Sequence, residues 1–245
     1  IRLQDEFDEE YSRDIEPMKG GHGDAYYMHL ISFVRRFKGM EKPMCDDGTH
    51  SIAVNEDFSQ WDGVKQAYRE YAGDVFPRSF RAYDAIGRYE NHTGRNEFSV
   101  LKVCSDENNL YFYAQFEKNI RFAPTGKPIC LFLNTQTPDV PRWGGYNAQI
   151  LIDCDGKASL CACAENDRYE WKEIASVPCF MEKDRLHLGV SKKALGVTEK
   201  EKTFSFEFKW SDNRQEEDVF DFYINGDAAP RGRLNYVYYH TQHAD

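Results

Sequence analysis

The chain has 245 residues, with 41 Asp or Glu against 31 Lys or Arg and a formal net charge of −10. At a usual domain size of about 150 residues, that length holds one large domain with an appendage or two small ones. An acidic chain with no concentrated basic patch excludes a nucleic-acid partner. No stretch approaches the roughly 18 apolar residues of a membrane helix, so no membrane span is expected.

The chain opens Ile1-Arg2-Leu3-Gln4-Asp5-Glu6-Phe7, without an initiator Met, a basic segment or an apolar signal core. This reads as a processed or truncated chain whose export signal has gone, and the expected location is secreted, periplasmic or cell-surface. Residues 1–45 form an N-terminal extension. After an acidic stretch and a loop at Lys19-Gly20-Gly21-His22-Gly23, Asp24 caps a predicted helix over 25–38. Its apolar stripe is Tyr27, Leu30, Ile31, Val34 and Phe37, which should be buried, and Gly39 stops it.

From about residue 51 the pattern changes to strands. Leu110, Phe112, Ala114 and Phe116 alternate with Tyr111, Tyr113 and Gln115, the period of a half-buried strand. Further strands are predicted over 98–104, 128–134, 146–153, 158–164, 171–176, 185–190, 203–210, 218–224 and 234–239. Turn chemistry separates them at Asp106-Glu107-Asn108-Asn109, Asp155-Gly156, Asp212-Asn213 and Asn225-Gly226. With 15% aromatic residues and no intervening helices, this specifies an all-β fold: a two-sheet antiparallel β-sandwich of jelly-roll or immunoglobulin-like type over 51–245.

Seven cysteines, an odd number, need not form a disulfide framework in a chain of this length. Cys161 and Cys163 fall on one strand face, too far apart for a disulfide, and read as small buried hydrophobes. The sequence lacks metal-ligand spacing, so no metal site is expected, and His22 in its Gly-rich loop has no second ligand nearby.

Two stretches carry family resemblances. Asn55-Glu56-Asp57-Phe58-Ser59-Gln60-Trp61-Asp62, the strand and turn over 100–116, and Phe204-Ser205-Phe206-Glu207-Phe208-Lys209-Trp210-Ser211-Asp212-Asn213 follow in an order that resembles family 9 carbohydrate-binding modules and their DOMON-like relatives. Upstream, Asp5 to Glu10, Ile15-Glu16-Pro17, the loop 20–23 and Asp24-Ala25-Tyr26-Tyr27 resemble the end of a catalytic barrel in glycoside-hydrolase-like proteins of the endo-mannosidase and WbsX-type group. The resemblances imply that 1–45 is the tail of a truncated barrel and 51–245 its C-terminal module. They further imply a non-catalytic carbohydrate-binding role for this chain, with a glycan or polysaccharide and its own upstream barrel as partners. Glu9, Glu10 and Glu16 supply carboxylates, but a barrel needs about 250 residues that this chain does not contain, so no catalytic residue is expected.

The chain departs from family 9 at the binding clamp, which uses two loop tryptophans. The corresponding places read Thr125-Gly126-Lys127-Pro128 and Ala228-Ala229-Pro230-Arg231-Gly232-Arg233, with no Trp. Ligand recognition is therefore assigned to Trp143 and Tyr146 in a Pro/Gly-rich loop, where Trp143 reads as exposed platform or as packing. Hydroxyl-binding polar groups are expected at Arg95, Asn96, Asp212, Asn213, Asn225 and Asp227, converging at one end of the sandwich. The same oxygens fit calcium, the one cofactor considered, or make turns only. Trp210 shares the phase of Phe204, Phe206 and Phe208 and should join the core, while Trp61 should plug the end of the sandwich and Trp171 should pack. The alternative function is a structural or interaction module that has lost sugar binding and packs against its own catalytic domain.

Overall fold

The computed structural model describes residues 34, 37, 48–55, 57–70, 78–81, 88–91, 95–122, 128–197, 203–212, 222, 226–231 and 234–241. The chain divides into two compact units, 1–43 with 79–89 and 44–78 with 90–245. Of the predicted helix over 25–38, only Val34 and Phe37 are described. Both are helical, but Phe37 is 83% exposed and Val34 is exposed too, contrary to a buried stripe.

The strands in chain order are β1 (Ala67–Arg69), β2 (Arg78–Arg81), β3 (Arg88–Asn91), β4 (Phe98–Ser105), β5 (Asn109–Phe116), β6 (Ile129–Asn134) and β7 (Ala148–Ile152), followed by β8 (Ala158–Cys163), β9 (Trp171–Val177), β10 (Cys179–Glu182), β11 (Arg185–Ser191), β12 (Thr203–Asp212), β13 (Ala228–Ala229) and β14 (Tyr236–Thr241). They build the predicted two-sheet antiparallel sandwich. One sheet runs β1-β4-β5-β11-β10; the other runs β13-β12-β6-β7-β8-β9, with β14 beside β13 on the free edge of β12. Strands β2 and β3 pair as a separate ribbon.

Period-two alternation sets the core. Leu101, Val103, Leu110, Phe112 and Leu188 face Leu131, Leu133, Ile150, Phe206, Phe208 and Trp210 across the two sheets, all buried. Each fully buried apolar side chain of this size contributes about 1.5–3 kcal/mol. Trp210 joins this core as its phase predicts. The Tyr68 hydroxyl donates to the Val237 carbonyl at 2.9 Å and accepts from Gln66 Nε2 at 2.6 Å, tying β1 to β14 across the sandwich.

Turn chemistry closes the hairpins as predicted. Asp106 Oδ1 accepts from the amides of Asn108 and Asn109 at 2.9 and 2.7 Å, joining β4 to β5. Asp153 Oδ1 accepts from Asp155 and Lys157 at 3.0 and 2.9 Å, joining β7 to β8. In the predicted strand over 218–224, the one described residue, Phe222, is helical and buried. A short apolar run suits either period, and at Phe222 the backbone is helical.

Both sheets are also covered on their outer faces. Over the five-stranded sheet, residues 52–64 form a strap whose Ile52, Val54, Phe58, Trp61 and Val64 pack on Cys104, Tyr111 and Tyr113. A 3₁₀ helix at Phe58–Gly63, capped by Asp57 through the Ser59 amide, turns Phe58 and Trp61 inward. Gly189 lets the strap approach, because a Cβ there would meet the Tyr111 ring at 3.0 Å and Val54 Cγ2 at 3.1 Å. Trp61 therefore covers a sheet face rather than plugging the end of the sandwich.

Candidate functional site

The structure gathers the described site candidates into two groups, while Asn213 and Asn225 lie outside the described residues. At the sandwich end, Arg95 Nη2 lies 3.0 Å from Asp212 Oδ1. Asn96 donates its amide N–H to Asp212 Oδ2 at 3.2 Å and its side-chain Nδ2 to Oδ1 at 3.0 Å. Asp227 Oδ2 accepts from the Phe98 amide at 2.8 Å, and the Asp227 carbonyl from the Asp212 amide at 2.8 Å.

The convergence is as expected, but the exposure is not: Asp212 is fully buried, and Asn96 and Asp227 are buried. Burial pushes the Asp212 carboxyl up to about 6, with Arg95 and the Asn96 hydrogen bonds pulling it down. Hydrogen-bonded in this way, the group staples the segment entering β4 to the end of β12. It does not present hydroxyl-binding groups to solvent, and it does not fit calcium, since Asp212 spends both oxygens on Arg95 and Asn96. Among the described residues, no three His, Cys, Asp or Glu side chains group as a metal site.

The second group lies on the outer face of the seven-stranded sheet. The connection from β6 to β7 folds back over that face and ends in a tight hairpin. Trp143 and Tyr146 exchange amide-to-carbonyl bonds at 2.9 Å each around Gly144 and Gly145, both at positive φ (56° and 93°). Arg142 pins the approach, donating to the carbonyls of Val140 at 3.1 Å and Thr137 at 2.5 Å.

The hairpin presses Trp143 and Tyr146 onto Phe132 at ring-centroid distances of 5.9 and 5.2 Å, with Phe222 5.3 Å away on the same ring. Trp143 is thus 4% exposed rather than an open platform, and Tyr146 is buried beside it. A Pro/Gly-rich loop signals a turn without saying whether the turn stands off or folds back. Tyr169 and Trp171 complete the cluster and are half-buried. Cys163 lies within it, and Cys161, also buried, shares its strand.

One edge of this cluster is polar. The Tyr146 hydroxyl donates to Asn235 Oδ1 at 2.6 Å, and Asn235 Nδ2 donates to Glu207 Oε2 at 2.9 Å. Asn134 Nδ2 reaches the same oxygen at 3.5 Å. Asn134, Glu207 and Asn235 are half-buried, and Tyr239, on β14 opposite Ser205, is exposed. Two amides, a carboxylate and a phenol thus line a sheet face beside aromatic rings, the combination that meets both faces and hydroxyls of a sugar ring. Sequence reading missed Asn134, Glu207 and Asn235, although the signal was present: Glu207 falls between inward Phe206 and Phe208, and Asn134 shares the phase of Phe132.

No family model matches the chain, and no curated protein matches it. Among solved structures, it is similar to a family 9 carbohydrate-binding module from Caldicellulosiruptor kristjanssonii in complex with glucose, at 14% identity over 82% of this chain and 96% of that one, with a TM-score of 0.43. It is also similar to such a module from the same organism in complex with cellotriose, at 13% identity over 84% and 92%, with a TM-score of 0.39.

Proposed function

We propose that this chain is a non-catalytic carbohydrate-binding module of an exported glycoside-hydrolase-like protein, and that it meets its glycan on the outer face of the seven-stranded sheet. The observation that carries this reading is the Tyr146–Asn235–Glu207–Asn134 line beside half-buried Tyr169 and Trp171. Neutral amides and a carboxylate on or beside paired strands suit hydroxyl recognition, and the neighbouring rings suit the apolar side of a pyranose. The ordered motifs at 55–62, 100–116 and 204–213 support the same class. His187 is an unsuitable proton carrier, being fully buried and held by Trp61 and Val54.

The test is calorimetric titration of the chain with glucose and cellotriose, beside Glu207→Gln and Asn235→Ala variants. Saturable binding by the wild type, weakened at least tenfold in both variants, is expected. No heat from the wild type contradicts the proposal. A second reading, a structural module packing on its own catalytic barrel, is favoured by the burial of Trp143, Tyr146 and Asp212. It predicts no glycan binding and a stable complex with that barrel.

A further inference from the structure

Two buried polar atoms on the outer face of the seven-stranded sheet have no hydrogen-bond partner: the Gln149 side-chain oxygen Oε1 and the Trp171 indole Nε1. Gln149 is 1% exposed. It stands on β7 directly opposite Phe132, and the Trp171 ring lies 6.2 Å from the same phenylalanine. A buried acceptor and a buried donor left unmade cost stability, and native proteins keep few of them. Leu or Met would fill the Gln149 position without that cost, so packing alone does not account for an amide there.

We propose that Gln149 Oε1 and Trp171 Nε1 are the polar half of a covered pyranose subsite, opened when the Trp143–Tyr146 hairpin lifts from Phe132. This rests on the carbohydrate-binding reading and adds a subsite and a gate to it. An acceptor on β7 and a donor on β9, both on the same side of Phe132 on β6, match the chemistry of one hydroxyl group, which donates to the amide oxygen and accepts from the indole. Trp143, Phe132 and Trp171 supply the aromatic walls. The cover is a short hairpin with two glycines at its tip, held at its rim by the Tyr146 hydroxyl on Asn235. Lifting the hairpin gives up the Tyr146–Asn235 bond and the contacts of Trp143 and Tyr146 on Phe132, which a bound sugar must replace, while the strand pairing beneath stays intact.

The test replaces Gln149 by Leu and, separately, by Met, and measures the thermal midpoint and binding to an array of pyranose oligosaccharides that includes cellotriose. A packing role alone predicts unchanged binding and an equal or higher midpoint. The subsite predicts that same equal or higher midpoint together with at least a tenfold loss of affinity in both variants. If the wild type binds and both variants bind equally well, the subsite is refuted while the carbohydrate-binding reading stands. If the wild type binds no glycan on the array, both fall.

Discussion

The indole Nε1 of Trp61 donates to Nδ1 of His187 at 2.9 Å, and Nε2 of the same imidazole lies 2.8 Å from the Val54 carbonyl. Nδ1 must accept and Nε2 must donate, so the histidine is held neutral in one tautomer. Both partners belong to the strap over the five-stranded sheet. The ring is fully buried among Phe58, Trp61 and Phe180, with the Arg185 guanidinium 4.8 Å from the centre of the Phe58 ring.

Acid should therefore loosen the strap. Burial lowers the His187 pKa against a smaller opposing effect from the Val54 carbonyl. The unfolded chain then takes up a proton near pH 6.5 that the folded one refuses, so stability present above that pH is lost as pH falls through the folded value. The limiting slope is about 1.4 kcal/mol per pH unit for one proton. Urea unfolding should show this loss as a difference between wild type and His187→Gln: the variant should cost about 1–3 kcal/mol at pH 7.5 and less at pH 5.

The Asp212 carboxyl gives the opposite sign. With the Asp212 pKa raised to about 6 from 3.8, its contribution is greatest in acid and fades as pH rises through that value. Arg95→Ala removes the opposing cation and leaves a buried carboxylate at pH 7.5. It should cost about 3–5 kcal/mol there and clearly less at pH 5, measured by denaturant unfolding at both pH values. An equal cost at both would show that the arginine acts by packing alone.

Trp143→Ala should destabilise the module by about 3–5 kcal/mol, because the side chain is buried among Phe132, Tyr146, Tyr169 and Phe222. A thermal midpoint within 1–2 °C of wild type would instead mark an open position, since surface substitutions change stability by only about 0.5 kcal/mol.

How legible these features were follows from where each side chain lies. Alternation on β5 and β12 was readable because one face of each strand meets the common core, and the Asp106 and Asp153 turns were readable because their side chains cap local amides. The convergence of Arg95, Asn96, Asp212 and Asp227 was also foreseeable, since all sit at strand ends. Their burial was not, because it depends on how tightly that end closes. The outer-face layers were hidden for a related reason: Trp61 packs against strands far away in sequence, and Trp143 sits in a connection that folds back onto its own preceding strand, and no local period records either. Glu207 was overlooked because an outward polar residue on a strand ordinarily means solvent.

The central claim is that glycan meets the outer face of the seven-stranded sheet. Its most direct test is hydrogen exchange of the wild-type chain with and without saturating cellotriose. Slowed exchange confined to residues 134–149, 169–173, 205–209 and 235–239 is expected. Protection at residues 95–98, at the strap over 52–64, or nowhere would contradict it.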